Sequence, residues 1–141
     1  MSMTDMIRTD LKRDEGWRPS AYQDTNGYWT IGYGFLIDAR KRGEIPKRVA
    51  EYWLDILIGD VIESVNRALP WVASQPADVQ QALYEMAYNM GVDGLLGFKA
   101  MLAALKAGDR ATAKREALDS RWAAQTGTRA NRLANVIGGN A

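Results

Sequence analysis

Apolar residues near the start of the chain recur at the spacing of one helix face. Four of them are separated by one to four positions: Met3, Met6, Ile7 and Leu11. Continuing this stripe by four residues reaches Glu15. We therefore predict a helix that ends near Glu15 and places this acid on its core-facing side, where burial and the helix C-terminus both favour the neutral carboxyl group.

The pattern then changes from helical spacing to strand-forming residues around a turn. The runs 21–24 and 28–36 read as strands, and the second is rich in aromatic and β-branched residues. The three residues between them, Thr-Asn-Gly at 25–27, are typical of a hairpin loop. The sequence therefore predicts a small β region directly after the first helix.

The register of this hairpin decides which side chains share a face. A two-residue loop would pair Asp24 with Trp29 and put Thr30 on the opposite face. A three-residue loop with a left-handed glycine bulge would pair Asp24 with Tyr28 and Tyr22 with Thr30. We predict the second register.

In that register the two faces differ in character. One is polar and aromatic with glycines: Tyr22, Asp24, Tyr28, Thr30, Gly32 and Gly34. The other is apolar and suited to packing: Trp29, Ile31, Tyr33 and Phe35. Rings, a carboxylate and glycines leave room for a sugar chain close to the backbone, although a glycine-containing sheet face is equally typical of a bend without a binding role.

Helical spacing returns at Pro46 and continues to the end of the chain. A long amphipathic helix at about 46–69 would join a β-containing lobe at about 16–45 to a helical lobe at about 70–141 that packs with the first helix. Four helices are predicted in the helical lobe: 77–90, 95–107, 109–123 and 128–137. The length and the pattern predict a single domain over 1–141 that contains a small β region and several helices.

Composition restricts the chemistry. The 141 residues include no histidine and no cysteine, which excludes Ser-His-Asp triads, Cys-His nucleophiles, disulfides and zinc sites with such ligands. We predict no metal and no cofactor. The apolar runs are far shorter than the roughly 18 to 20 residues that span a bilayer, and the N-terminus lacks a signal-peptide core. We expect a soluble cytosolic chain without stable membrane insertion.

The net charge of +1 conceals an asymmetry. Residues 99–141 contain eight Lys/Arg and three Asp/Glu, a net +5, and residues 1–98 carry the remaining −4. A basic C-terminal third suits an anionic polymer, although a solvated helix surface explains it more simply. The pI near 7.9 lacks the basic excess of a nucleic-acid-binding domain, and we predict no nucleic-acid partner.

Residues 15 to 35 indicate carbohydrate chemistry. They set Glu15, Asp24 and Thr30 around the hairpin. Cleavage of a glycosidic bond needs two carboxyl groups in different environments, one protonated to donate a proton and one ionised to handle water or the sugar cation.

The same residues resemble the active-site signature of phage-type lysozymes, the endolysins of glycoside hydrolase family 24. The motif is DEGWRPSAYQDTNGYWTIGYG at 14–34. Two further segments resemble the helical lobe of that family, ALYEMAYNMGVDGLLGF at 82–98 and SRWAAQTGTRANR at 120–132. The resemblance covers most of the chain and is weakest over 36–75.

The resemblance implies an α+β, lysozyme-like fold with two lobes. It also implies hydrolysis of the β-1,4 bond between N-acetylmuramic acid and N-acetylglucosamine in bacterial peptidoglycan. Glu15 would be the general acid. Asp24 would hold or activate the attacking water or stabilise the sugar cation, and Thr30 would help to place the water. The family implies inversion, for which the two carboxyl groups stand roughly 6.5 to 9.5 Å apart.

Other positions match the family's cleft. The residues predicted to contact substrate are Tyr22, Tyr28, Gly32, Asn89, Gln125 and Thr126; for the last three, capping and interhelical hydrogen bonds are an equal alternative. Arg129 matches an arginine that pairs with the catalytic acid. A guanidinium favours ionised Glu15 whereas burial favours the proton, so the sign of the shift in its pKa stays open.

One position departs from the family. Many members have histidine where this chain has Phe35. We expect this change to affect stability more than catalysis, and to give a flatter stability profile between about pH 5 and 7 than a histidine would give.

The function that the resemblance implies is an endolysin for host lysis, which acts on the periplasmic wall as a monomer after a holin has opened the membrane. Lytic transglycosylation of the same bond is the alternative reaction, although it would make Asp24 and Thr30 dispensable. A non-catalytic peptidoglycan-binding module is the alternative without enzymatic activity, although both acids are present.

Overall fold

A computed structural model describes residues 2–139, which fall into two compact units. The first unit extends to Trp53 and the second begins at Leu54. The first contains helix α1 (Met3–Glu15) and a three-stranded antiparallel sheet in the order β1-β2-β3, with strands Arg18–Gln23, Trp29–Gly32 and Phe35–Leu36. Helix α2 (Lys47–Ala68) begins in the first unit and ends in the second. The predicted α+β fold is confirmed.

Helix α1 begins and ends where the sequence provides caps. The Ser2 hydroxyl accepts a hydrogen bond from the Asp5 backbone N–H at 3.1 Å, and the Asp5 carboxylate accepts one from the Ser2 N–H at 3.2 Å, which forms a capping box. At the other end Gly16 has a φ of 72°, and its N–H donates to the Lys12 carbonyl. Glu15 therefore lies in the last turn, as predicted.

The apolar stripe of α1 has no apolar surface opposite it within the first unit. None of the α1 side chains is buried, and Glu15 is exposed. The sheet meets this helix at its last turn, where Lys12 lies near the Tyr33 ring and Glu15 lies against Gly34. Within this unit Glu15 therefore does not face a core, and the packing of α1 with the helical lobe stays a prediction.

The β1–β2 hairpin adopts the predicted register with a three-residue loop. Tyr22 pairs with Thr30, and the Asp24 N–H donates to the Tyr28 carbonyl at 2.8 Å. Gly27 has a φ of 82°, which is the left-handed conformation of a glycine bulge. Residues that face each other across a ladder point to the same side of the sheet. We call this set of Tyr22, Asp24, Tyr28 and Thr30 the polar face.

The predicted second strand, 28–36, is two strands. β2 ends at Gly32 and β3 begins at Phe35, because Gly32 and Gly34 have φ values of 70° and 71° that turn the chain back. Phe35 is 58% exposed and not packed as predicted. Its ring lies over Gly32, where an added Cβ would meet Cδ2 at 2.7 Å. On the polar face, by contrast, Thr30 is only 7% exposed.

The second unit is built around a helical core. After α2 come a 3₁₀ turn (Pro70–Ser74) and five helices: α3 (Ala77–Leu96), α4 (Lys99–Lys106), α5 (Arg110–Leu118), α6 (Arg121–Thr126) and α7 (Thr128–Ile137). The largest fully buried side chains of this unit include Leu83, Met86, Leu95, Met101, Leu105, Leu133 and Ile137. Among the described residues, every helix is too short or too polar to cross a lipid bilayer.

Two predicted helices of this unit have different bounds. The prediction for 95–107 begins too early, because Phe98 precedes the first turn of α4. The segment 109–123, predicted as one helix, forms two helices. The Ser120 hydroxyl accepts a hydrogen bond from the Ala123 N–H and so caps the start of α6. The predicted break after residue 90 is confirmed, since Gly91 has a φ of 81° within α3.

A buried carboxylate organises the loop after β3. Asp38 is 6% exposed and accepts hydrogen bonds from the backbone N–H groups of Arg40 at 2.8 Å and Arg42 at 3.0 Å. The Arg40 Nε also donates to it at 3.2 Å. The hydrogen bond from the Arg40 N–H is the main reason why the pKa of Asp38 is lowered to about 2.

We predict that Asp38→Asn lowers the free energy of unfolding at neutral pH, because an amide replaces the charged acceptor of these hydrogen bonds. The ionised form stabilises the fold above the ordinary pKa of 3.8, and this contribution is lost as the pH falls through about 2. In urea titrations, the stability difference between wild type and variant should therefore be constant above about pH 5 and shrink below about pH 4.

Asp10→Asn is the control, since Asp10 forms an exposed pair with Arg13 at 3.3 Å and such pairs contribute little. A difference for Asp38→Asn that stayed constant down to about pH 2 would contradict this role of its charge.

Candidate active site

Asp24 closes the hairpin loop with its own carboxylate. Its Oδ1 accepts hydrogen bonds from the backbone N–H groups of Asn26 at 2.9 Å and Tyr28 at 2.8 Å. The Gly27 N–H donates to the Asp24 carbonyl at 3.0 Å. Within residues 2–53 no hydrogen bond reaches the other oxygen, Oδ2. One oxygen therefore holds the loop, and the second is free to accept a proton from a water or a sugar hydroxyl.

The pairing register places Thr30 on the same face of the hairpin as Asp24. Its hydroxyl donates to the Tyr28 carbonyl at 3.2 Å, which orients the oxygen. A hydroxyl that donates its proton still has lone pairs to accept one hydrogen bond. Thr30 can therefore help to hold a small polar molecule next to Asp24.

Glu15 reaches the sheet at a point where only glycine fits. A Cβ built on Gly34 would lie 2.8 Å from Cδ of Glu15, so the carboxyl group of the acid rests on bare backbone. The positive φ of Gly34, 71°, is also one that residues with a Cβ rarely adopt. The turn between β2 and β3 thus supports the acid at the end of α1.

An aromatic cluster holds this turn against the end of α1. The rings of Trp17 and Tyr33 have centroids 5.4 Å apart, and those of Tyr33 and Phe35 are 6.1 Å apart. The Lys12 ammonium lies 5.3 Å from the centroid of the Tyr33 ring. Sequence reasoning placed Tyr33 and Phe35 on a packing face and gave Trp17 no role, although Trp17 follows Glu15 by two residues.

Two cations lie over tyrosines of the polar face. The Arg18 guanidinium carbon is 3.9 Å from the Tyr22 ring centroid, and the Lys41 ammonium is 4.6 Å from the Tyr28 ring centroid. These distances are typical of cation–π contacts. Each tyrosine that was predicted to contact a sugar therefore has one ring face covered by a cation.

Of the other predicted contacts, Gly32 lies under the Phe35 ring, and three lie in the second unit. Asn89 Oδ1 accepts a hydrogen bond from the Trp122 indole N–H at 3.2 Å, and the Thr126 hydroxyl donates to the Trp122 carbonyl at 2.9 Å. Gln125 is exposed. These bonds support the structural alternative for Asn89 and Thr126. Trp122 itself belongs to the core of this unit, since it is 8% exposed.

A cavity of about 780 Å³ lies in the second unit and is lined by both Asn89 and Arg129. Across part of its wall, Arg132 donates to the Glu85 carboxylate at 3.0 Å. The pairing of Arg129 with Glu15 stays a prediction from the family resemblance.

Comparison with known proteins identifies the family. A family model described as phage lysozyme matches residues 12–135. The chain belongs to the phage lysozyme family. The matched residues include the whole motif at 14–34 and both helical segments that carried the resemblance.

Individual relatives agree with this assignment. The chain is 34% identical to the pre-baseplate central spike protein Gp5 of Enterobacteria phage T4 over 97% of its own length, and it spans 28% of that longer protein. It is 28% identical to probable T4-type lysozyme 1 of Dictyostelium discoideum, over 96% of the chain and 95% of the relative. A second protein of that organism, probable T4-type lysozyme 2, is 26% identical with the same coverage.

The family resemblance implies that Glu15 is the general acid, so we predict that Gly34→Ala displaces this acid and lowers the rate of peptidoglycan cleavage at least tenfold. Left-handed backbone at alanine should also reduce stability by about 1 kcal/mol. The rate and the melting temperature should be measured together.

Gly108→Ala is the matched control. Gly108 has a similar φ of 82°, and an added Cβ would meet nothing within 4 Å. This variant should lose similar stability and keep its rate. Equal rates for the two variants would show that the contact between Gly34 and Glu15 has no part in catalysis.

Proposed function

We propose that this protein is a muramidase that hydrolyses the β-1,4 bond between N-acetylmuramic acid and N-acetylglucosamine in bacterial peptidoglycan. One observation carries the proposal: in a member of the phage lysozyme family, Asp24 and Thr30 share one face of a hairpin. Glu15 lies against Gly34, in the turn that follows β2.

Glu15 acts as the general acid. Its carboxyl group is exposed and forms no salt bridge within residues 2–53, so it is open to the leaving oxygen of a bound glycan. The backbone of Gly34 supports it from one side. Proton donation from a positioned carboxyl group contributes roughly a hundredfold to ten-thousandfold in rate.

Asp24 handles the water. Because Oδ1 is held by two backbone N–H groups, the free Oδ2 has a fixed direction and accepts a proton from the attacking water. The Thr30 hydroxyl is oriented by the hydrogen bond that it donates to the Tyr28 carbonyl. Its oxygen accepts a hydrogen bond from the same water. We expect inversion at the anomeric carbon, which leaves space for one water between acid and base.

The biological role that fits this activity is host-cell lysis. In this role the enzyme would act as a monomer on the periplasmic wall, after a holin has opened the membrane. Family membership supports the role, since the matching family model is described as phage lysozyme. No metal or cofactor is needed, because acid, base and water suffice for glycoside hydrolysis.

Lytic transglycosylation is the second candidate reaction on the same bond. It uses an internal hydroxyl of the sugar instead of water and leaves an anhydro end. The free Oδ2 of Asp24 and the oriented Thr30 hydroxyl favour hydrolysis, since both groups suit a bound water.

We predict that Glu15→Gln lowers the rate of clearing of purified peptidoglycan by about a hundredfold or more, because an amide cannot donate the required proton. Turbidity and release of reducing ends both measure this rate. Far-ultraviolet circular dichroism should be unchanged, since Glu15 is exposed.

Asp14→Asn is the control for Glu15→Gln. Asp14 is the neighbouring acid on α1 and pairs with exposed Arg13 at 3.0 Å, so this variant should keep wild-type activity. If Glu15→Gln cleared peptidoglycan as fast as Asp14→Asn, Glu15 would not be the acid.

We also predict that the released muropeptides carry reducing ends, with the α-anomer formed first, because water attacks from the side opposite the leaving group. Mass spectrometry and proton NMR during digestion check both points. Asp24→Asn should slow this reaction about a hundredfold. Anhydro-muramic acid ends, together with an active Asp24→Asn variant, would instead establish transglycosylation.

A further inference from the structure

Arg18 and Lys41 bring positive charge to the polar face from two different segments. Arg18 is the first residue of β1, whereas Lys41 belongs to the loop after β3. Each lies over a tyrosine ring of that face, at 3.9 Å and 4.6 Å from the centroids. The tyrosines occupy diagonal positions across the hairpin, which separates them by roughly 7 to 8 Å. The two cations therefore lie at two separate positions of the polar face, the face that also carries Asp24 and Thr30.

Lys41 is held in place by its loop. Its φ of 63° is the only left-handed value at a non-glycine residue within 2–139, and its N–H donates to the Asp38 carbonyl at 3.2 Å. The Asp38 carboxylate holds the neighbours on both sides through the N–H groups of Arg40 and Arg42. A Cβ at Gly27 would lie 3.9 Å from the Lys41 ammonium, so this cation also borders the hairpin bulge.

Neither cation is neutralised within the first unit. Arg18 and Lys41 form no salt bridge in residues 2–53, whereas Arg13 pairs with two acids and Arg40 pairs with Asp38 and Glu44. Both side chains are exposed. Cations that are pre-positioned and lack an anion attract anionic groups and lose little entropy when these bind.

We propose that Arg18 and Lys41 form a binding site for carboxylate groups of the substrate, so that the enzyme selects an anionic glycan over a neutral one. This inference rests on the proposed function, because peptidoglycan carries free carboxylates on its peptide stems, and on its lactyl groups only where no stem is attached. The planar Arg18 guanidinium binds a carboxylate through two N–H groups, and Lys41 binds as a point charge. The tyrosines of the polar face serve as supports for these cations.

The test measures binding of Glu15→Gln protein, which does not consume the polymer, to two forms of insoluble peptidoglycan. One form is native, and in the other the carboxyl groups have been converted to amides. Against the native form, adding Arg18→Gln and Lys41→Gln should raise the dissociation constant about fivefold, the effect of two exposed ion pairs. Against the amidated form the two proteins should bind equally.

Three matched variants sharpen the result. Arg42→Gln with Arg48→Gln removes the same two charges from exposed positions of the same unit and should bind the native form like the parent. Arg18→Lys with Lys41→Arg should restore binding. Lys41→Gln alone should give about half of the effect in free energy, which keeps the test valid if the double variant folds poorly.

Certain outcomes overturn the inference. Equal weakening on native and amidated polymer would assign the cations a purely structural role, and equal weakening by the Arg42 and Arg48 variants would indicate a general charge effect. No change on either polymer would exclude the site. Loss of the proposed function is a separate result, since it would show as a wild-type protein that releases no reducing ends from native peptidoglycan.

Discussion

The candidate site depends on the hydrogen bonds that the Asp24 carboxylate makes to the backbone of its own hairpin loop. Asp24 Oδ1 accepts hydrogen bonds from the N–H groups of Asn26 and Tyr28. These bonds close a three-residue loop in which Gly27 has the left-handed conformation. A slip of one residue would send Thr30 to the opposite face, because side chains alternate along a strand. The residue that is proposed to handle water therefore also fixes the register that places its partner.

The two acids are positioned by different devices, which gives them different surroundings. Asp24 is fixed by hydrogen bonds from two backbone N–H groups to one of its oxygens. Glu15 is placed by the end of α1 at Gly16 and by van der Waals contact with Gly34, and no backbone donor binds its carboxylate within residues 2–53. In the proposed mechanism the two carboxyl groups have different parts, and they are held in correspondingly different ways.

The features of the fold that could be predicted are those that a few neighbouring residues determine. The loop residues at 25–27 select the register, and Gly16 ends α1, since both depend on a few neighbouring residues. The sequence could not show whether Glu15 is buried. A periodic stripe indicates that a helix has an apolar side, but it does not show which other element packs against that side. The turn at Gly34 was missed because glycines that alternate with aromatic residues fit a strand as well. The hydrogen bond from Trp122 to Asn89 could not be predicted from local sequence, because it joins residues 33 positions apart.

The tyrosines of the polar face show how a correct register can still leave the chemistry of a surface open. An aromatic ring on a sheet can stack on a sugar, but its electron-rich face also attracts a cation. Lys41 lies 13 positions beyond Tyr28 and reaches it only because β3 returns the chain to the hairpin. A ring whose face is covered in the free protein offers its ligand a charge in place of a flat apolar surface. The recognition proposed for Arg18 and Lys41 therefore depends on the carboxylates of the polymer more than on its sugar rings.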